Sequence, residues 1–314
     1  MPPHVLCIGL ANWDYVFTID ESLVEDRKYR SRTLAESGGG PAANAACLLA
    51  RWGCPVALVG HAGKDALGLR VRAELETYGV DTTWFRLLDG EPTSISCVIA
   101  SRPNGTRTIV NQPPASILAA EGSQLPETEP RVLLVDGHEL AIARLALERF
   151  PNATSVLDGG SLRDSTVELA SLVDYAVVSA AFAKHATGMV LDSPESALRC
   201  IEELSKRFSS RLCITLGPLG LTTTTDDGSP IHWHAPAVEA IDSTAAGDLF
   251  HGAFAWAMDA GLNYLSALRV ATGTAALSVT RAGGRASIPP RDAALAFASD
   301  WFPELRAARA DTDP

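Results

Sequence analysis

Asp242-Ser243-Thr244-Ala245-Ala246-Gly247-Asp248 runs directly into Leu249-Phe250-His251-Gly252-Ala253-Phe254. Three small residues at 245–247 let a ligand approach the backbone, and the apolar pattern that follows predicts a helix over 246–260. The first amides of such a helix lack intrahelical partners, and the helix dipole favours an anion beside them. Asp248, in the first turn, can point into the same space. Phosphoryl transfer uses this pairing, with N–H donors for charge on the phosphoryl oxygens and a carboxylate beside the attacking hydroxyl. The same residues also read as an ordinary helix start with an acidic first turn.

Outward from this stretch, apolar runs of strand length alternate with helical patterns. Buried strands are expected at 5–9, 56–60, 132–136, 155–158, 176–179 and 212–216. Helices are expected at 41–52, 66–78, 140–150, 165–172, 194–208, 246–260 and 264–280. This alternation predicts an α/β fold, a doubly wound and mostly parallel sheet flanked by helices. Two regions break the rhythm, roughly 15–37 and 84–111, the second with turns at Asp89-Gly90 and Asn104-Gly105. They are expected to form a small sheet inserted in a single domain spanning 1–314. The tail after Leu305 is expected to fray.

Other loops carry polar or small residues where ligands gather. In Ser37-Gly38-Gly39-Gly40-Pro41-Ala42-Ala43-Asn44, glycines precede a proline-started helix, with Asn44 one turn in. The spacing Gly38-x-Gly40-x-x-Ala43 matches a dinucleotide fingerprint, but no apolar strand precedes it, so that reading is set aside. The plain alternative is a tight loop. Asn12-Trp13-Asp14 follows the first strand, where an aspartate can accept two polyol hydroxyls or merely form a surface turn. Thr215-Leu216-Gly217-Pro218-Leu219-Gly220 follows another strand, and Gly-Pro turns are common. Thr280–Ser287 is a Gly/Arg loop that folds over a nucleotide or simply ends a helix.

Composition narrows the function. The chain of 314 residues has 37 acidic against 26 basic residues and a net charge of -11. A basic footprint for nucleic acid is therefore absent. None of the six cysteines lies in a C-x-x-C pair or a zinc-spaced cluster. Neither a signal-peptide pattern nor a membrane-length apolar run is evident, and a reduced, cytoplasmic enzyme is expected.

Together the segments at 38–44 and 242–252 resemble the two signatures of the ribokinase-like (PfkB) carbohydrate kinases, in order and about 200 residues apart. The resemblance covers almost the whole chain. It implies ATP and magnesium, a β-sheet lid made by the two irregular regions, and a homodimer through that lid. By position, Asp248 resembles the catalytic base and Ala245, Ala246 and Gly247 the anion hole. Asp14, Gly39, Gly40 and Asn44 resemble sugar contacts, and Thr215, Gly217 and Gly220 the nucleotide loop. Asp242 and Ser287 lie where a monovalent cation such as potassium is held in many members. The family often has Asn-x-x-Glu after a middle strand; here the stretch is Ser179-Ala180-Ala181-Phe182, leaving Ser179 as a nucleotide contact.

Within the family, Asn104–Val110 and Ala183-Lys184-His185 are similar to ketohexokinases. Lys28, Gly38–Ala43, Val156–Gly159, Asn111 and Gly283–Ala286 are similar to bacterial sulfofructose kinases, in which a lysine, an asparagine and an arginine grip the sulfonate. Lys28 and Asn111 match the first two, whereas His138 stands at the arginine position. A sugar kinase is therefore expected, acting on a ketose such as fructose ahead of sulfofructose. A nucleoside kinase and a sugar-binding protein without turnover remain alternatives.

Overall fold

The computed structural model describes residues 2–101, 103, 106–114 and 124–302. The first half runs β1 (Val5–Ile8), β2 (Asn12–Ile19), β3 (Thr33–Gly39), α1 (Pro41–Arg51), β4 (Val56–Gly63), α2 (Ala66–Tyr78), β5 (Phe85–Leu88), β6 (Ile95–Ser101), β7 (Thr106–Gln112), β8 (Val132–Val135) and α3 (Leu140–Arg149). The second half runs β9 (Thr154–Gly159), α4 (Asp164–Leu169), β10 (Tyr175–Ser179), α5 (Ala180–Thr187), α6 (Pro194–Arg207), β11 (Arg211–Thr215), β12 (Leu221–Thr224), β13 (Pro230–Trp233), α7 (Ala246–Asp259), α8 (Tyr264–Ser278) and α9 (Arg291–Trp301).

The main sheet has the order β13-β12-β11-β10-β9-β8-β1-β4-β5. Every pair from β11 to β5 is parallel; the β12–β13 hairpin adds two antiparallel strands. Successive residues of one strand enter opposite cores, as the pleat requires. Val5 and Cys7 join Leu134, Val156 and Val177 beneath α1, α7 and α8. Leu6 and Ile8 join Leu133, Val135 and Leu157 beneath α3, α5 and α6. The result is a three-layer sandwich with both faces of the sheet covered. No helix among the described residues is long and apolar enough to cross a membrane.

The second sheet has the order β3-β2-β6-β7 and is built from the two regions that broke the sequence rhythm. The expected boundary at 84 moves, however. Residues 85–88 pair with β4 in the main sheet because Phe85 is buried in its core. All six expected strands and seven expected helices occur. The pattern misses α5, which buries little beyond Phe182 and Ala183, and α9. It also misses the threonine-rich hairpin β12–β13. A strand does precede the glycine loop, but it is β3, antiparallel to β2 in the small sheet. The dinucleotide fingerprint thus lacks its βαβ frame. The Asn104-Gly105 turn and the tail after Leu305 lie outside the described residues.

Candidate active site

In open α/β sheets, ligands bind at the carboxyl ends of the parallel strands. Here that edge carries Asp136 after β8, Asp158 in β9, Ser179 at the end of β10 and Thr215 at the end of β11. A separate surface cleft of about 460 Å³ lies at the opposite strand ends, lined by Ser209, Arg211 and Thr224 among others. None of the residues singled out from the sequence lines it.

The start of α7 is unusual in its backbone. Ala245 caps the helix at φ 60°, ψ 7°, a left-handed conformation that costs a residue with a Cβ about 1–2 kcal/mol. The turn directs the chain so that Ala246, Gly247 and Asp248 open the helix. Among the described residues, the Gly247 and Asp248 amides have no backbone acceptor, which leaves two donors for an anion. Gly247 is exposed at this opening.

Asp248 retains some exposed surface, yet its carboxyl is surrounded by protein groups. Asn44 Nδ2 donates to its Oδ2 at 2.6 Å. Burial, followed by the negative charge of Asp158, raises the Asp248 pKa to about 7; Asn44 and His251 act in the opposite direction. A carboxylate tuned in this way releases its proton near neutral pH, as a general base should.

A buried arginine orients Asn44. Arg285 is 2% exposed; its Nε donates to Asn44 Oδ1 at 2.9 Å and its Nη2 to the Gly39 carbonyl at 3.1 Å. Its Nη1 lies 3.2 Å from Glu74, whose other oxygen accepts the Gly38 amide at 2.7 Å. The Asn44 amide group, its oxygen taken by Arg285, therefore faces Asp248 with its NH2. A Cβ at position 38 would sit 2.1 Å from Arg285 Nη1, so any larger residue there would displace the guanidinium. Gly40, at φ 96°, makes the sharp entry into α1.

Asp14 and Asn111, two of the residues expected to contact a sugar, lie on the small sheet. Asn12 Nδ2 donates to Asp14 Oδ1 and to Ser96 Oγ, each at 2.7 Å, and Ser96 Oγ donates to Asn111 Oδ1 at 3.2 Å. Burial raises the Asp14 pKa, opposed by Asn12 and Ser96, and its charge reaches Asp248. Asp14 and Asn111 thus share one face with a polar string between them. Lys28 is exposed in the loop that joins β2 to β3, and among the described residues no hydrogen bond or ion pair joins it to Asp14 or Asn111.

The His138 ring is hydrogen-bonded at one nitrogen, and its other nitrogen is buried beside a carboxylate. Arg163 Nη1 donates to its Nε2 at 2.6 Å, and Asp136 Oδ1 lies 3.0 Å from its Nδ1. A guanidinium only donates, so Nε2 bears no proton. The free donors at this strand end belong to Arg163, which arrives from the start of α4.

In the loop expected to meet the nucleotide, Gly217 opens and Gly220 closes a 3-10 turn after Thr215, at φ 58° and 96°. Ser179 caps α5, accepting the Phe182 amide, and donates to the Gly160 carbonyl. Asp242 and Ser287 meet at the Gly283-Gly284 turn. Asp242 accepts the Thr244 and Gly283 amides at 2.8 Å each, while Ser287 Oγ donates to the Gly284 carbonyl. Those amides outweigh burial and lower the Asp242 pKa. Both side chains are satisfied by protein, so we assign no step to a monovalent cation. Finally, Arg107 of β7 donates to Ser243 Oγ at 2.7 Å, linking the small sheet to the loop before α7.

Sequence reading gave no site role to Arg285, Arg163, Ser96 and His251. The available signal was a polar side chain in an apolar or small-residue run, as for His251 in Leu249–Ala257 and Arg285 in Gly283–Ser287.

The pfkB family carbohydrate kinase model matches residues 2–291. A ribokinase of Haemophilus influenzae is 28% identical over 303 residues, covering 92% of this chain and 96% of that protein. An ATP-dependent ribose-1-phosphate kinase of Halopiger xanaduensis is 29% identical over 315 residues, covering 95% and 99%. The structure of Arabidopsis thaliana ribokinase complexed with ribose and ATP superposes with a TM-score of 0.78 at 25% identity, covering 95% of this chain and 99% of that one. Both glycine-bearing loops and the Asp248 turn fall inside the matched span, and the chain belongs to the pfkB family of carbohydrate kinases, which take their phosphoryl group from ATP.

Proposed function

We propose that the protein transfers the γ-phosphoryl group of ATP to a primary hydroxyl of a neutral sugar, with Asp248 as the base. The observation that carries this reading is the raised Asp248 carboxyl beside two unpartnered amides at the start of α7. Asp248 takes the hydroxyl proton while the amides at 247 and 248 hold charge on the transferring group, and Asp14 orients the sugar by accepting its hydroxyls. Thr215, Gly217 and Gly220 would border the nucleotide. Magnesium would accompany the phosphates. Ser179 Oγ is committed to capping and no cluster of three metal-ligating side chains occurs among the described residues, so we assign it no protein ligand.

A neutral sugar is favoured because, among the described residues, no hydrogen bond or ion pair joins Lys28 to Asn111, and the His138 ring already holds Arg163 at Nε2 with its buried Nδ1 beside Asp136. The names of the relatives make ribose the first sugar to test, and fructose follows from the sequence resemblance. A second reading, an acidic sugar, is favoured by the Arg163 guanidinium beside His138. A coupled assay for ADP release over ribose, fructose, ribose 1-phosphate, sulfofructose and nucleosides separates these readings. We expect ribose or fructose to have the highest kcat/KM. A tenfold preference for either anionic sugar, about 1.4 kcal/mol, would replace the neutral reading with the acidic one. A nucleoside in first place would replace both.

The small sheet would act as a lid, since Arg107 already ties it to the loop before α7. Its face opposite Asp14 and Asn111 carries Tyr15, Phe17, Leu34, Ile99 and Val110, with Leu34 51% and Val110 65% exposed. An apolar face between open edge strands suits a second copy of the chain. Light scattering is expected to give the mass of a dimer; a monomer at assay concentration excludes this assembly.

A further inference from the structure

His251 lies one turn beyond Asp248 on α7 and is 4% exposed. Its Nδ1 is 2.7 Å from the Gly247 carbonyl and its Nε2 is 3.1 Å from the Val177 carbonyl in β10. Asp158 Oδ2 in β9 lies 3.1 Å from Nδ1. A carbonyl oxygen can only accept, so both ring nitrogens must donate, and only the imidazolium has two N–H groups. The carboxylate supplies its counter-charge.

We propose that His251 is a permanently protonated positioning residue, whose imidazolium offsets the charge of Asp158 beside Asp248 and so keeps Asp248 usable as the base. This rests on the assignment of Asp248 above. The charged groups around Asp248 are Asp158 from β9, Asp14 from β2 and His251 from α7 itself; Asn44 from α1 is neutral, with Arg285 behind it. Two negative neighbours would hold Asp248 protonated well into the working range if nothing balanced them. Among the described residues, the positive group in direct reach is the His251 ring. Although burial disfavours its charge, Asp158 and the two carbonyls raise its pKa to about 9. Hydrogen bonding to Gly247 also fixes the ring against the turn that presents the two open amides.

The test has two arms on the full-length enzyme. In the first, imidazole 15N spectra of histidine-labelled protein are recorded from pH 6 to 8, with His251 assigned by its loss in His251→Asn. Both ring nitrogens are expected to carry protons throughout; a neutral ring at pH 7 overturns the proposal. In the second, the acid limb of the kcat/KM profile is compared between wild type and His251→Asn. With Asp158 still in place as its counter-charge, loss of a positive ring is expected to move the limb up by about one pH unit. Loss of a neutral ring leaves it in place, and a coincident pair of profiles also overturns the proposal. The spectra need no turnover, so they decide the protonation state even if Asp248 proves not to be the base.

Discussion

Asp248→Asn is expected to lower kcat at least about a hundredfold while the protein stays folded and binds its ligands. The amide has nearly the shape of the carboxyl, and its oxygen can still accept from Asn44. What it lacks is the ability to take the proton of the attacking hydroxyl. Phosphoryl transfer would then rest on positioning and on the helix amides alone. The wild-type kcat/KM should rise through a pH of about 7, where Asp248 ionises, and the variant should lose that limb. Stability should move the other way. The folded state holds the Asp248 proton to about 7, whereas an unfolded aspartate releases it near 3.8. The folded protein binds the extra proton between those values, so the group's contribution falls as pH rises through them and stays unfavourable above 7. At pH 8 the asparagine variant should therefore unfold at higher temperature than wild type. Turnover within a few-fold of wild type would remove Asp248 from the role.

Arg285→Met is expected to destabilise the fold by about 3 kcal/mol. The guanidinium is almost wholly buried, and three parts of the molecule depend on it: Asn44 on α1, the Gly39 carbonyl on β3 and Glu74 on α2. Methionine fills part of the volume but leaves these acceptors without a donor and Glu74 without its partner. Removing one member of a buried pair costs more than the pair contributes, because the remaining charge is stranded. The catalytic consequence is separate. Asn44 would no longer be held with its NH2 toward Asp248, so kcat should fall even in the folded fraction. Urea unfolding monitored by tryptophan fluorescence measures the first effect. A loss below about 0.5 kcal/mol, the usual range for a surface residue, would falsify the keystone role. Adding Glu74→Gln should recover part of the loss by removing the stranded charge.

The strands of the main sheet were legible because burial on both faces leaves continuous apolar runs, as in Val132–Val135 and Val177-Val178. Asp248 and Asn44 were legible because small residues at a helix start have a local meaning. The supporting polar groups had no such mark. The roles of Arg285 and His251 depend on groups far away in the chain, and Arg163 reaches His138 from a different loop. Lys28 shows the converse. It was expected at the site by resemblance alone, and it lies exposed in the loop that joins β2 to β3, where no local pattern fixes what it meets. The edge strand β5 was read into the small sheet because four residues have too little pattern to reveal which sheet they join.

The two halves of the Asn44–Asp248 hydrogen bond are 204 residues apart in the chain, and those of the Arg285–Asn44 bond are 241 apart. During synthesis from the N-terminus, the sugar-side residues and α1 emerge long before the base or its orienting arginine. Closing so long a loop is entropically costly and slow, so these contacts belong to a late stage of folding. Until about residue 285 has left the ribosome, the growing chain has the small sheet and α1 but not the full set of Asp248 and Arg285 around Asn44. If Asp248 is the base proposed above, a chain terminated before residue 248 cannot turn over ATP at this site.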